Sequence, residues 1–220
     1  MKEMSSETPP GLEPLLQMDK IMIFQKIEPI ELILGIETVN KYEVKDSLNQ
    51  QIYYALEKSN ICCRMCCGNS RAMKIRIIDN TDTEVMCLIR SLRCQTCWCP
   101  CCLQEMEVQA PPGQPIGYII QRWNACIPRF SIQNKSRHTV LRICGPCCQS
   151  GCCNSVNFKI QTLNKKEVIG NIAKNWSGVL VESFTDADNF EVTFPMQLDV
   201  NIKATLMGAT FLIDFMYFEN

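Results

Sequence analysis

The feature that most constrains this fold is a period of two that recurs in one hairpin after another. Apolar and polar residues alternate along Lys41-Tyr42-Glu43-Val44-Lys45, a polar turn covers residues 46–50, and Gln51-Ile52-Tyr53-Tyr54-Ala55 continues the chain. Lys74-Ile75-Arg76-Ile77-Ile78 passes through Asp79-Asn80-Thr81-Asp82 into Glu84-Val85-Met86-Cys87-Leu88. Arg129-Phe130-Ser131-Ile132-Gln133 turns at Asn134-Lys135 into Thr139-Val140-Leu141-Arg142-Ile143, and Phe158-Lys159-Ile160-Gln161-Thr162 turns at Asn164-Lys165 into Glu167-Val168-Ile169. Glu105-Met106-Glu107-Val108-Gln109 and Gly117-Tyr118-Ile119-Ile120-Gln121 flank Pro111-Pro112-Gly113. Successive strand side chains point to opposite faces, so each run presents one apolar face, and Asp, Asn and Gly supply the turns. At ordinary strand lengths this gives about a dozen strands. So many antiparallel strands leave no exposed edge only if the sheet closes, which predicts an all-β closed barrel or a sandwich.

The C-terminus departs from this pattern. Residues 204–218, from Ala204 through Leu212 and Asp214 to Phe218, are apolar on nearly every helical face. A bilayer span takes about 20 apolar residues, more than this run offers. Asp214 would add about 2.5–3.5 kcal/mol to the cost of insertion. A helix apolar all round can instead fill the middle of a barrel. The expectation is a buried helix, with a single membrane span as the alternative.

Fourteen of the sixteen cysteines form three groups: Cys62, Cys63, Cys66 and Cys67; Cys94, Cys97, Cys99, Cys101 and Cys102; and Cys144, Cys147, Cys148, Cys152 and Cys153. The N-terminus has no apolar signal segment, so reduced thiols, metal or lipid fit better than disulfides. Each group contains C-x-x-C, a spacing that suits tetrahedral zinc, or iron–sulfur ligation, although several thiols could equally be small core residues. The only histidine, His138, lies outside all three groups. In Cys97-Trp98-Cys99-Pro100-Cys101-Cys102 the proline marks a loop. Thiols packed on a loop are also candidates for S-acylation, and stable anchoring takes more than one chain.

Asp186-Ala187-Asp188-Asn189-Phe190 resembles the start of a calcium loop, in which oxygen ligands alternate. The helix–loop–helix pattern fails, because Glu191 holds its sixth place and Gln197 its twelfth. The alternative is an Asp/Asn-rich turn opening a hairpin. On the calcium reading, a hairpin between residues 190–194 and 198–202 would fold Asp199 back as a third carboxylate. A net charge of -1 argues against a dedicated nucleic-acid binder, for which a basic stripe is expected.

Taken in order, Pro9-Pro10-Gly11-Leu12-Glu13, residues 97–105, Gln109-Ala110-Pro111-Pro112-Gly113, Asp186-Ala187-Asp188-Asn189-Phe190 and the ending at 208–219 resemble the phospholipid scramblase family. The resemblance implies a Tubby-like barrel of twelve strands around the C-terminal helix, with residues 1–8 a short disordered tail and 9–220 one domain. It implies calcium-activated, ATP-independent, bidirectional movement of phospholipids between leaflets, without covalent chemistry. It further implies palmitoyl groups on Cys97, Cys99, Cys101 and Cys102, and calcium at a segment including Asp186, Asp188 and Phe190, with Asp199 as the further carboxylate. Such a protein would sit on the cytoplasmic face of the plasma membrane, self-associate, and form a nuclear pool when not acylated. The alternative is a palmitoylated adaptor or lipid-sensing module. Three departures matter. SH3 or WW partners, which the family engages through a Pro-rich arm, are not expected from these residues. Gln197 stands where the calcium segment usually ends in Asp, and Asn171 replaces a lysine of the nuclear-import segment at 170–176.

Overall fold

The computed structural model describes residues 8–26, 40–58, 71–93, 102–147, 155–164, 167–175 and 189–218. Among these, twelve strands form one closed antiparallel barrel. In chain order they are β1 (Lys20–Lys26), β2 (Lys41–Lys45), β3 (Gln51–Lys58), β4 (Met73–Asp79), β5 (Glu84–Arg90) and β6 (Glu105–Gln109). They continue as β7 (Pro115–Arg122), β8 (Arg129–Asn134), β9 (Thr139–Cys144), β10 (Ser155–Thr162), β11 (Val168–Asn175) and β12 (Asn189–Thr193). Each strand pairs with its sequence neighbour and β12 closes on β1, with Ile21 opposite Val192 and Ile23 opposite Phe190. Closure selects the barrel over the sandwich. β1 is the strand that alternation did not single out: Met22 and Phe24 put apolar side chains on the outer face too, and Phe24 lies under the Lys45 ammonium at 4.9 Å.

Three hairpins share one turn design. Asp46, Asp79 and Asn134 each use Oδ1 to accept main-chain N–H groups two and four residues on, at 2.8–3.1 Å. Asn49, Asp82 and Arg137 then adopt the left-handed backbone, with φ of 63°, 62° and 59°. A type I turn closed by a left-handed residue adds a bulge whose twist suits the flanking strands. The register shifts at Val44/Lys45, Ile77/Ile78 and Ile132/Gln133 record it.

The helix α1 (Val200–Tyr217) runs through the barrel, and all its residues except Asn201 and Tyr217 are buried. It begins one turn before the expected 204, because Asp199 is its N-cap and accepts from the N–H groups of Asn201 and Ile202. The expected strand at 198–202 is therefore a turn and the first turn of a helix, and the proposed hairpin with 190–194 does not form. Among the described residues no helix is long and apolar enough to cross a membrane. Ala204 and Leu212 sit wholly within the core, as the buried-helix reading required.

Small residues let strand and helix approach. A Cβ on Gly117 of β7 would overlap Thr205 Oγ1, and one on Gly208 would stand 3.1 Å from both Leu88 and Val108. Lys203, fully buried, donates from Nζ to the carbonyls of Leu15, Met18 and Met196 at 2.7–2.8 Å and of Leu16 at 3.3 Å. It thereby ties the 3-10 turn Glu13–Gln17 (η1) and the lead-in to the helix across one end of the barrel. Burial holds its pKa below the ordinary lysine value, against the raising influence of Asp19.

Candidate functional site

Because the strands alternate in direction, the two ends of the barrel are unlike. The short turns at 46–50, 80–83, 110–114, 135–138 and 163–167 lie at the end where α1 starts. The connections β1–β2, β3–β4, β5–β6, β7–β8, β9–β10 and β11–β12 all leave from strand ends at the opposite rim, where α1 finishes. Every cysteine except Cys87 falls in or at the edge of those rim connections, as do Asp186 and Asp188. One rim therefore anchors every segment singled out from the sequence for lipid or metal chemistry. Cys97, Cys99, Cys101, Asp186 and Asp188 themselves lie outside the described residues, as do Cys62, Cys63, Cys66 and Cys67. Cys102 is half-buried at the start of the return to β6, Cys126 and Cys147 are exposed, and Cys144 ends β9.

The barrel interior becomes polar toward this rim. Asp214, one turn from the end of α1, accepts from the buried Tyr42 hydroxyl at 2.8 Å. Glu57 at the end of β3 takes Arg71 through Nε and a second guanidinium nitrogen, at 2.9 and 3.1 Å, and Asn40 at 2.8 Å. The same Arg71 guanidinium stacks over Phe215 of the helix at 5.2 Å. Further round, Arg90 donates to Gln104 at 2.8 Å, and the Gln104 main-chain N–H donates to Gln121 at 2.9 Å. Phe218 closes the helix end against Phe158 and Phe190, with the buried Lys174 ammonium 4.1 Å from its ring centre. Buried charges persist only where partners replace water, and here the interacting groups come from seven strands, their flanking residues and the helix. The arrangement fixes the helix end and the strand ends that carry the rim connections.

Within the candidate calcium segment the structure separates the residues. Phe190 is buried with its ring against Phe218, so only its main-chain oxygen is a candidate ligand atom. Asp199 lies at the far end of β12, beyond the opposite rim, and its carboxylate caps the helix. The hairpin that would have returned it toward the start of β12 is a helix start instead. Among the described residues no group of three or more His, Cys, Asp or Glu side chains is placed to hold a metal ion.

The scramblase family model matches residues 1–220. The chain belongs to the scramblase family. It is 56% identical over 212 residues to human phospholipid scramblase 1, covering 96% of this chain and 67% of that protein. It is 53% identical over 211 residues to human phospholipid scramblase 2, with 96% and 71% coverage, and 50% identical over 212 residues to human phospholipid scramblase family member 5, with 96% and 78%. The chain thus spans about two thirds to three quarters of the length of these relatives.

In this scramblase-family barrel the stretch compared with a nuclear-import segment is β11. Lys174 there is only 3% exposed, and Asn171 bonds to Thr193 and Asn157 on the neighbouring strands. Between the β7–β8 connection and the helix end lies a cavity of about 320 Å³ that alternation could not have indicated, lined by Arg122, Asn124, Pro128, Arg129, Met216 and Tyr217 among others. One wall is the local stretch from Gln121 to Arg129, and the other is the helix end, far along the sequence.

Proposed function

We propose that this chain moves phospholipids between membrane leaflets, bidirectionally and without ATP, under calcium control. The observation that carries the reading is full-length membership of a family whose matched relatives are named phospholipid scramblases. Every segment suited to acylation or calcium binding is anchored at one rim, consistent with a single membrane-directed end. On this reading acyl chains on Cys97, Cys99, Cys101 and Cys102 anchor that rim to the cytoplasmic face of the plasma membrane. Each buried CH₂ contributes about 0.8 kcal/mol, so two or more chains give stable attachment. Asp186 and Asp188, with the Phe190 carbonyl, form the calcium segment. Two carboxylates place it at the weak end of the affinity range for oxygen-ligand sites. Zinc or an iron–sulfur cluster at the rim cysteines is the competing use of the same thiols.

The barrel is filled by α1, so lipid headgroups have no path through its middle. The reading therefore assigns transfer to the outer surface or to contacts between copies of the chain. That filled interior is also what favours a second reading, an acylated adaptor or lipid sensor with little transfer of its own. Reconstitution into vesicles carrying a leaflet-labelled phospholipid separates the two. Calcium-dependent loss of label asymmetry without ATP is expected, and Asp188→Ala should abolish it while leaving attachment intact. Label asymmetry that stays unchanged at saturating calcium would establish the adaptor reading instead.

A further inference from the structure

Charge is unevenly distributed around this barrel. Residues 108–166 contain no Asp or Glu but eight cations: Arg122, Arg129, Lys135, Arg137, Arg142, Lys159, Lys165 and Lys166. That stretch carries +8, against -9 on the rest of a chain whose total is -1. It supplies β7 to β10, four adjacent strands of the twelve. The net charge of -1 conceals this basic stripe.

The register aligns the stripe. Arg122 stands opposite Arg129, Arg129 opposite Cys144, and Cys144 opposite Lys159, forming one outward row across four strands. Arg142 lies two residues before Cys144 and so on the same face. All four cations are exposed, and none has an ion-pair partner among the described residues. Elsewhere the outer face is neutralised: Lys20 pairs with Glu191, Lys26 and Lys45 with Glu43, and Arg76 with Glu84. Strands about 4.8 Å apart place the row within roughly 15 Å. Like charges directly opposed across a ladder destabilise it, so the row is costly unless an anionic surface faces it. Trp123, 55% exposed, follows Arg122 at the rim that also carries the cysteine connections. An exposed tryptophan beside cations suits the headgroup layer of a bilayer. A nucleic-acid duplex would use the cations but not the ring.

The geometry points to the β7–β10 face as a docking surface for an anionic phospholipid bilayer, which tilts the barrel onto its side next to the acylated rim. This orientation rests on the lipid-transfer reading for its choice of partner, yet it is measured without transfer. The test is co-sedimentation of the unacylated chain with vesicles of equimolar phosphatidylcholine and phosphatidylserine, or of phosphatidylcholine alone. Each surface cation contributes about fivefold in affinity near an anionic leaflet. Replacing Arg122, Arg129, Arg142 and Lys159 by Gln is therefore expected to weaken binding at least about a hundredfold. Replacing Lys20, Lys26, Lys45 and Lys74 by Gln, the last of them 3.7 Å from Glu84 and all four ion-paired, makes the same change in net charge and should leave binding intact. The first variant should also melt no lower than the wild type, since it removes opposed like charges. Undiminished binding by that variant, equal loss in both variants, or equal wild-type binding to phosphatidylcholine alone would each overturn the proposal. So would tighter binding to a duplex oligonucleotide than to the mixed vesicles at the same salt, which would mark the face as a nucleic-acid surface. A chain that docks but transfers no lipid would refute the preceding reading and leave this one standing.

Discussion

Replacing Lys203 by Met tests what holds the end of the barrel where α1 begins. The ammonium makes three short bonds to main-chain carbonyls and one longer one, while its four-carbon stem runs through the core beside Phe194. A hydrogen bond to a charged group contributes about 1.5–3 kcal/mol, so the three short ones together are worth about 5–9 kcal/mol. Burying the ammonium costs several kcal/mol, which the substitution relieves. The net expectation is destabilisation by about 2–4 kcal/mol. With a urea dependence near 2 kcal/mol/M, the midpoint should fall by about 1–2 M. Methionine keeps the volume of the stem, so a cavity does not account for the loss. The pH dependence gives an independent reading. Burial lowers the folded pKa below the ordinary value of 10.5, so the unfolded chain holds this proton more tightly. The penalty is full below the folded pKa and fades as pH rises toward 10.5, so the gap between wild type and variant should widen with pH in that window. A midpoint shift under about 0.5 M, or a variant more stable than the wild type, would refute the view that these carbonyls need the ammonium.

Other perturbations probe the remaining contacts. Gly117→Ala should cost roughly 1–3 kcal/mol in thermal melts by driving a methyl into Thr205 Oγ1 and to 2.9 Å from the Gln133 carbonyl, and Thr205→Ala in the same chain should recover part of it. Tyr42→Phe leaves Asp214 without its 2.8 Å donor and should lower stability by about 1–3 kcal/mol in urea titrations. Leu212→Ala, in the middle of the core helix, should cost about 2–5 kcal/mol by the same assay. Hydrogen bonds from the Thr81 hydroxyl, the Thr83 N–H and the Thr81 N–H hold the Asp79 carboxyl below its ordinary 3.8. Its contribution is full above that value and lost as pH falls through the folded pKa, so carbon-13 NMR should give a midpoint below 3.8, and Asp79→Asn should lose that acid dependence.

The sequence by itself determined the strands and their turns. Alternation at Lys74-Ile75-Arg76-Ile77 or Arg129-Phe130-Ser131-Ile132 is a local property, and Asp46, Asp79 and Asn134 bond to main chain only two and four residues away. The all-apolar C-terminus likewise announced a buried helix, since no face was left for water. The start of that helix was not legible in the same way, because Leu198 to Ile202 has strand-like alternation and the Asp199 cap overrides it. The tertiary structure alone decided which distant residues meet. Lys203 reaches carbonyls some 187 positions earlier, and Tyr42 reaches Asp214 across 172. Barrel register decided that Arg122, Arg129 and Lys159 share one outward row, and strand parity decided that the cysteine groups and the acidic segment belong to one rim. Sequence spacing encodes the period of each strand. Which strands become neighbours is settled only when the sheet closes around its helix, because closure removes the exposed edges and buries all the apolar faces together.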